Sequence, residues 1–205
     1  MSNLHDLNLI FYILAYVLGS IPFGLILAQV FGNIDVRKSG SGNIGATNVF
    51  RVLKQTDPVL AGKLSVSTLL LDALKASIPI LIAKYIFNMP EASLWAMAVL
   101  SVIGHTFSIF LFFNGGKGVA TGLGVTIIML PVETLIAFIT WIIVGKTVKI
   151  SAISSLTALI VLYISSFYIS PDTTLVPMGI IGFIIFYKHI PNIIQILSGT
   201  EQKII

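Results

Sequence analysis

The chain has 205 residues, of which 56% are hydrophobic and 10% charged, with a formal net charge of +4 and no cysteine. Soluble domains carry about 25% charged residues to cover their surface, so this composition excludes a water-solvated globule and makes lipid the solvent of the fold. The lack of cysteine excludes disulfides, thiolate metal sites and a cysteine nucleophile, and the dispersed basic residues argue against a nucleic-acid partner.

A spanning helix needs roughly 20 apolar residues. The run from Leu9 to Val30 is too long for a signal-peptide core, contains Pro22 and Gly24, and follows no basic segment. A retained first span over 8–31 is therefore expected. The longest polar insertion, 32–63, comes next, followed by spans at 64–87 and 93–113. Asp72 and Lys75 lie three apart inside the former, where isolated charges are costly, so they are expected to pair toward the bundle interior. His105, after Gly104, is expected to be buried and hydrogen-bonded.

The segment 119–148 reads either as one long span or as two short ones, 119–130 and 134–148, broken at Pro131-Val132-Glu133. Spans at 151–169 and 175–189 follow, the first opening on Ser151, Ser154 and Ser155, a pattern common in helix caps. Charge separates the two readings. With seven spans, Arg37, Lys38, Arg51, Lys54, Lys63, Lys117, Lys146, Lys149, Lys188 and Lys203 share one side, which is ten of the 12 basic residues. With six spans, the last four of these change sides. Lysine and arginine are retained on the cytoplasmic side, which favours seven. The expected architecture is an all-α integral membrane protein: a compact bundle of about seven transmembrane helices, two of them short, forming a single polytopic domain over 1–205 with its N-terminus outside.

Three polar segments then fall on the cytoplasmic side. The first runs from Asp35 to Asn48 through Ser39-Gly40-Ser41-Gly42-Asn43-Ile44-Gly45-Ala46-Thr47, with Arg51 close behind. Glycines let successive amides converge on an anion. Ser41, Thr47 and Asn48 add neutral hydrogen-bonding groups, and Arg51 can fork onto a phosphate. Gly40-x-Gly42-x-x-Gly45 matches a dinucleotide fingerprint only formally, because no strand precedes it.

The second segment is Asn114-Gly115-Gly116-Lys117-Gly118-Val119-Ala120-Thr121. It is not a P-loop, since glycine follows Lys117 where Ser or Thr is needed for magnesium. It does open onto the N-terminus of a helix, which favours an anion. The third is His189-Ile190-Pro191-Asn192, where a spacing of three puts His189 and Asn192 on one face if the helix continues through Pro191. Histidine exchanges protons near neutral pH.

Together these segments resemble the bacterial acyl-phosphate-dependent glycerol-3-phosphate acyltransferases, the PlsY family. The resemblance rests on Gly19-Ser20-Ile21-Pro22-Phe23-Gly24 and the Asp35–Arg51 segment, on Gly104-His105-x-Phe107 with Gly115-Gly116-Lys117-Gly118-Val119-Ala120-Thr121, and on His189-x-x-Asn192-Ile193 with Gly199-x-Glu201. Order, spacing and length agree along almost the whole chain. Three departures stand out: Gln195 replaces a usual arginine, Asn114 a common lysine, and Ala76 a glycine.

The resemblance implies transfer of a fatty acyl group from acyl phosphate to the 1-hydroxyl of sn-glycerol 3-phosphate, giving lysophosphatidic acid and phosphate. By that likeness Ser41, Arg51, Lys117, Ser151, His189 and Asn192 engage glycerol 3-phosphate or assist catalysis. Thr47, Gly116 and Gly118 line the site for the acyl-phosphate head, and Asn48 is counted with the substrate-binding groups. Acyl phosphate is already activated, so no metal, nucleotide or other cofactor is expected. A long-chain acyl phosphate, glycerol 3-phosphate and membrane lipid are the expected partners of a monomer in the bacterial inner membrane, its active site on the cytoplasmic face. The rival reading is a transporter of a small phosphorylated solute. Transporters place their groups near the midplane, often in inverted repeats, and neither feature is visible here.

Overall fold

A computed structural model describes residues 2–172 and 175–203, and all regular elements among them are helical. The α-helices are α1 Ser2–Ser20, α2 Phe23–Gly32, α3 Ala46–Leu53, α4 Pro58–Tyr85, α5 Glu91–Thr106, α6 Val119–Met129, α7 Pro131–Val148, α8 Ser151–Ile169 and α9 Leu175–Leu197.

Among the described residues, six segments are long and apolar enough to cross a membrane: Asp6–Gly32, Pro58–Tyr85, Glu91–Leu111, Pro131–Val148, Ser151–Ile169 and Leu175–Leu197. Helix α6 is apolar but has only 11 residues. The expected pair of short spans is therefore corrected to one short helix and one of full length. Pro131 does not break a helix here. It occupies the first turn of α7, where its missing N–H has no partner to lose, and that adds three residues to the expected 134–148. The first span is divided at Ile21-Pro22 into α1 and α2. The second begins at Pro58, because the Asp57 side chain accepts from the Leu60 amide at 2.9 Å and caps α4.

Large side chains such as Leu9, Ile13, Leu70, Ile139, Ile164 and Phe183 lie exposed on the helix flanks, facing lipid. The interior is closed by small residues that let backbones approach. A methyl added at Gly19 or Gly104 would collide with the facing carbonyl of Ser101 or Tyr16, so α1 and α5 touch through backbone. Buried Trp95, Met97, Ile80, Ile181 and Ile185 fill the main apolar cluster. A second cluster, of Leu25, Val36, Ile44, Val49, Val52, Leu53 and Leu64, roots the polar insertion onto α2 and α4.

The helix directions bring 33–57, 107–118, 148–151 and the end of α9 to one end of the bundle. At the other end, Phe11 meets Phe87 with ring centroids 5.1 Å apart, and Ser170 donates to Glu133 at 2.5 Å. The N-terminal helix starts at this second end and α9 finishes at the first.

Candidate active site

The insertion 33–57 is organised by one side chain. Asn48, 2% exposed, accepts from the Ser41 amide at 2.8 Å. Its NH2 group donates to the carbonyls of Asn43 at 2.7 Å, Val36 at 2.9 Å and Ser39 at 3.2 Å. All its bonding capacity goes into the loop, leaving Ser41 exposed at the turn. Arg37 is held by Asp35 at 2.7 Å, and this guanidinium keeps the Asp35 carboxyl down at about 2. At the start of α3, the Thr47 hydroxyl lies 3.1 Å from that of Ser151, joining the insertion to α8.

Across from it lies the glycine-rich loop. The amides of Gly115 and Gly116 donate to the carbonyls of Thr106 and His105 at 3.2 and 2.9 Å, fastening the loop to the end of α5. Gly116 is buried against the His105 ring, in a place where any side chain would overlap the imidazole Nε2. Gly118, at φ +87°, turns the chain into α6 through a conformation other residues adopt at a cost. The first-turn amides of α6 have no intrahelical partners, which favours an anion at this helix start.

Lys117 reaches across to α9, where its ammonium donates to Asn192 Oδ1 at 2.6 Å. The NH2 of Asn192 donates to both Glu201 oxygens at 2.9 Å. Glu201 arrives there because Gly199, at φ +71°, folds the tail back, and the Thr200 and Glu201 amides close on the Gln195 carbonyl at 2.8 and 3.1 Å. Arg51 donates to the Gln202 carbonyl at 3.3 Å, while its Nε is buried with no partner among the described residues. Burial pulls the Lys117 ammonium down to about 8, opposed by the Glu201 carboxylate and assisted by the Arg51 charge. Two cations and one carboxylate therefore share this space.

Helix α9 continues through Pro191, so His189 and Asn192 occupy one buried face. The one carbonyl that Pro191 leaves free in the helix, that of Tyr187, belongs to an exposed residue. His189, 2% exposed, has its Nδ1 2.8 Å from the Ile185 carbonyl. A carbonyl can only accept, so Nδ1 carries the proton and Nε2 of the neutral ring presents a lone pair.

An apolar groove leads away from these groups between α6, α7, α8 and α9, from Val119, Ser155 and Ile185 to Thr126, Thr134 and Leu162. Leu123, Phe138 and Leu159 on its wall are only partly buried, so it opens on the lipid-facing side. Ile185 lines the groove and also holds His189, which ties the apolar and polar compartments together.

Of the expected residues, the structure joins Lys117 to Asn192 and Thr47 to Ser151. Arg51 is drawn to the tail and Asn48 is turned into the loop. Sequence reasoning did not place Glu201 among the site residues. Its signal was the Gly199-x-Glu201 pattern, an acid two residues beyond a turn-forming glycine. Gln195, where the resemblance has arginine, contributes its backbone carbonyl to the tail turn.

The fold and site define a helical membrane protein that gathers two cationic side chains, a glycine-rich loop and the start of an apolar groove at one end of its bundle. The family model of glycerol-3-phosphate acyltransferases matches residues 9–199. A glycerol-3-phosphate acyltransferase of Campylobacter concisus is 55% identical, covering 97% of this chain and 99% of that protein. One of Sulfurimonas denitrificans is 52% identical over the whole of both. Two crystal structures of PlsY (YgiH), an integral membrane glycerol 3-phosphate acyltransferase, superpose on 96% of this chain and 94% of their own. The glycerol 3-phosphate form gives a TM-score of 0.87 at 37% identity. The lysophosphatidic acid form gives 0.83 at 36%. The chain belongs to the glycerol-3-phosphate acyltransferase family and is an acyltransferase.

Proposed function

We propose that this protein transfers a fatty acyl group from acyl phosphate to the 1-hydroxyl of sn-glycerol 3-phosphate, releasing lysophosphatidic acid and inorganic phosphate. The observation that carries this reading is the junction at α9. The Lys117–Asn192 bond and the partnerless Arg51 Nε offer sites for phosphate oxygens. About two turns back along α9, Ile185 opens the groove that would take an acyl chain. A solute transporter has no use for a lipid-facing groove beside a site at one end of the bundle.

In this mechanism Arg51, with Ser41 and Ser151, holds the phosphate of glycerol 3-phosphate. Thr47, Gly116, Gly118 and the first-turn amides of α6 receive the acyl-phosphate head. Lys117 offsets the repulsion between the two dianions and faces the charge developing on the carbonyl oxygen. The glycerol hydroxyl oxygen attacks the acyl carbon, the bond from that carbon to the phosphate oxygen breaks, and the hydroxyl proton leaves on the released phosphate. His189 Nε2 accepts a hydrogen bond from the hydroxyl in the bound ground state, which orients it, and lets it go as that proton passes to the donor phosphate. Asn192 holds Lys117 in place, Asn48 builds the loop that carries Ser41 and Thr47, and no cofactor takes part.

Purified protein mixed with palmitoyl phosphate and glycerol 3-phosphate should form lysophosphatidate and phosphate in equal amounts. Palmitoyl-CoA in place of palmitoyl phosphate should give little product, because the compact junction of Lys117, Asn192 and Arg51 suits a phosphate-sized leaving group and not a bulky carrier. Comparable turnover with the CoA ester would overturn the donor assignment.

The same reading places the site on the cytoplasmic face of the bacterial inner membrane, with the N-terminus outside and the 1–205 domain working as a monomer. The basic residues support it, since Lys38, Lys54, Lys63, Lys149 and Lys203 all fall at the site end. In this cysteine-free chain a single cysteine at Glu91 should react with an impermeant thiol reagent on spheroplasts. One at Lys149 should react only after permeabilisation. Labelling at 149 from outside would reverse the orientation.

A further inference from the structure

Behind the glycine-rich loop lies a buried polar cluster that the mechanism above leaves unused. The Lys75 ammonium donates to Asp72 Oδ1 at 2.7 Å, to the Ile21 carbonyl at 2.8 Å and to His105 Nδ1 at 2.9 Å. Three N–H bonds meet three acceptors, and none is left over. Asp72 supplies the opposing charge, with both side chains 3% exposed or less. The Ile21 carbonyl stands at the break between α1 and α2, so the cluster also pins that break.

The cluster fixes the state of one ring. Because Nδ1 accepts from a cation that has only protons to give, the His105 proton must sit on Nε2. The ring cannot rotate without leaving the Lys75 ammonium unsatisfied in an apolar interior, and an unmet charged donor there is costly. Its Nε2 edge fills the space where a side chain at 116 would stand. The carbonyl of the same residue accepts the Gly116 amide at 2.9 Å. His105 thus touches Gly116 from both ring and backbone, one residue before Lys117.

We propose that Asp72, Lys75 and His105 form a positioning assembly that seats the Gly115–Gly118 loop, and so sets Lys117 and the start of α6 for the acyl donor. The inference rests on the acyl-phosphate reading. These are positioning residues, acting on the reaction through the loop. They are absent from the insertion that holds Arg51, so their loss should fall on one substrate. A charged pair in a spanning helix is usually explained by pairing alone. Pairing does not explain why the third donor goes to a histidine wedged under a glycine.

The test separates seating from packing. His105→Asn keeps an acceptor for Lys75 but stops short of Gly116. It should raise the KM for acyl phosphate at least about tenfold, and lower kcat/KM for that donor by up to about 10²-fold. Binding of glycerol 3-phosphate and the melting temperature should stay near those of the unaltered protein. His105→Gln, whose amide reaches toward Gly116 as Nε2 does, should recover most of the donor KM. Gly116→Ala, which pushes on the ring from the loop side, should reproduce the donor defect. Because Gly116 itself lines the donor site, the contact is read by pairing: Gly116→Ala in the His105→Gln background, whose flexible amide can move aside, should lose less than in the unaltered protein.

Unchanged donor kinetics in His105→Asn, or in Gly116→Ala, would overturn the inference. Equal losses for both substrates would do the same, since they report a loosened bundle. Failure of the unaltered protein to use acyl phosphate would overturn the donor assignment and this inference together.

Discussion

Lys117→Ala is expected to lower kcat/KM by about 10²–10³-fold, the loss typical for removing one charge-stabilising donor from a preorganised site. The substitution leaves Asn192 and Glu201 bonded to each other but empties the position that the proposed mechanism sets between two dianions. The unaltered protein should carry the signature of this group in its pH profile. Burial brings the lysine from its ordinary 10.5 down to about 8, so the ammonium is present below that pH and lost as pH rises through it. kcat/KM reports groups of the free enzyme, and it should therefore fall on the alkaline side with a midpoint near 8. Lys117→Arg should remove that limb, because guanidinium stays charged, while remaining impaired by its different reach. An alkaline limb that persists in the arginine variant would assign the titration to another group and return Lys117 to the role of a topology anchor.

The second large effect is at His189. If its Nε2 lone pair only orients the glycerol hydroxyl, His189→Asn should retain measurable turnover, with the loss falling mostly on the KM for glycerol 3-phosphate. Asparagine can still donate to the Ile185 carbonyl in place of Nδ1, so the local structure should survive. A general base behaves otherwise: its loss typically costs about 10²–10⁴-fold in kcat, and the acid limb of kcat disappears with it. The two outcomes separate on one measurement pair, equilibrium binding of glycerol 3-phosphate and single-turnover acyl transfer. Normal binding with only background transfer would make His189 the base.

Much of this was legible because lipid simplifies the code. Long apolar runs can only be buried or spanning, and the basic residues between them placed the insertion, the glycine loop, Ser151 and Asn192 at one end, where the structure finds them. The division at 129–131 was harder. A proline between apolar segments signals either a break or a first turn, and only the fold shows that Pro131 starts α7.

Asp72 and Lys75 were readable as a pair because helical spacing makes them neighbours. Their link to His105, 30 residues from Lys75, follows no local period. The same holds for Glu201, whose approach to Asn192 depends on a left-handed turn at Gly199. Asn48 looked like a ligand because asparagines in glycine-rich loops often are. Its neighbours' carbonyls converge on it instead, a fact of loop shape that composition does not carry.

The groove between α6 and α9 opens sideways, past Leu123, Phe138 and Leu159, and that changes what concentration means for this protein. A donor with a long chain would arrive by diffusing in the plane of the bilayer, so its effective dose is a mole fraction among lipids and not a molarity. Glycerol 3-phosphate comes from the third dimension and keeps an ordinary bulk concentration. Diluting the membrane with inert lipid at fixed total donor should then slow the reaction, while enlarging the aqueous volume at fixed glycerol 3-phosphate concentration should not.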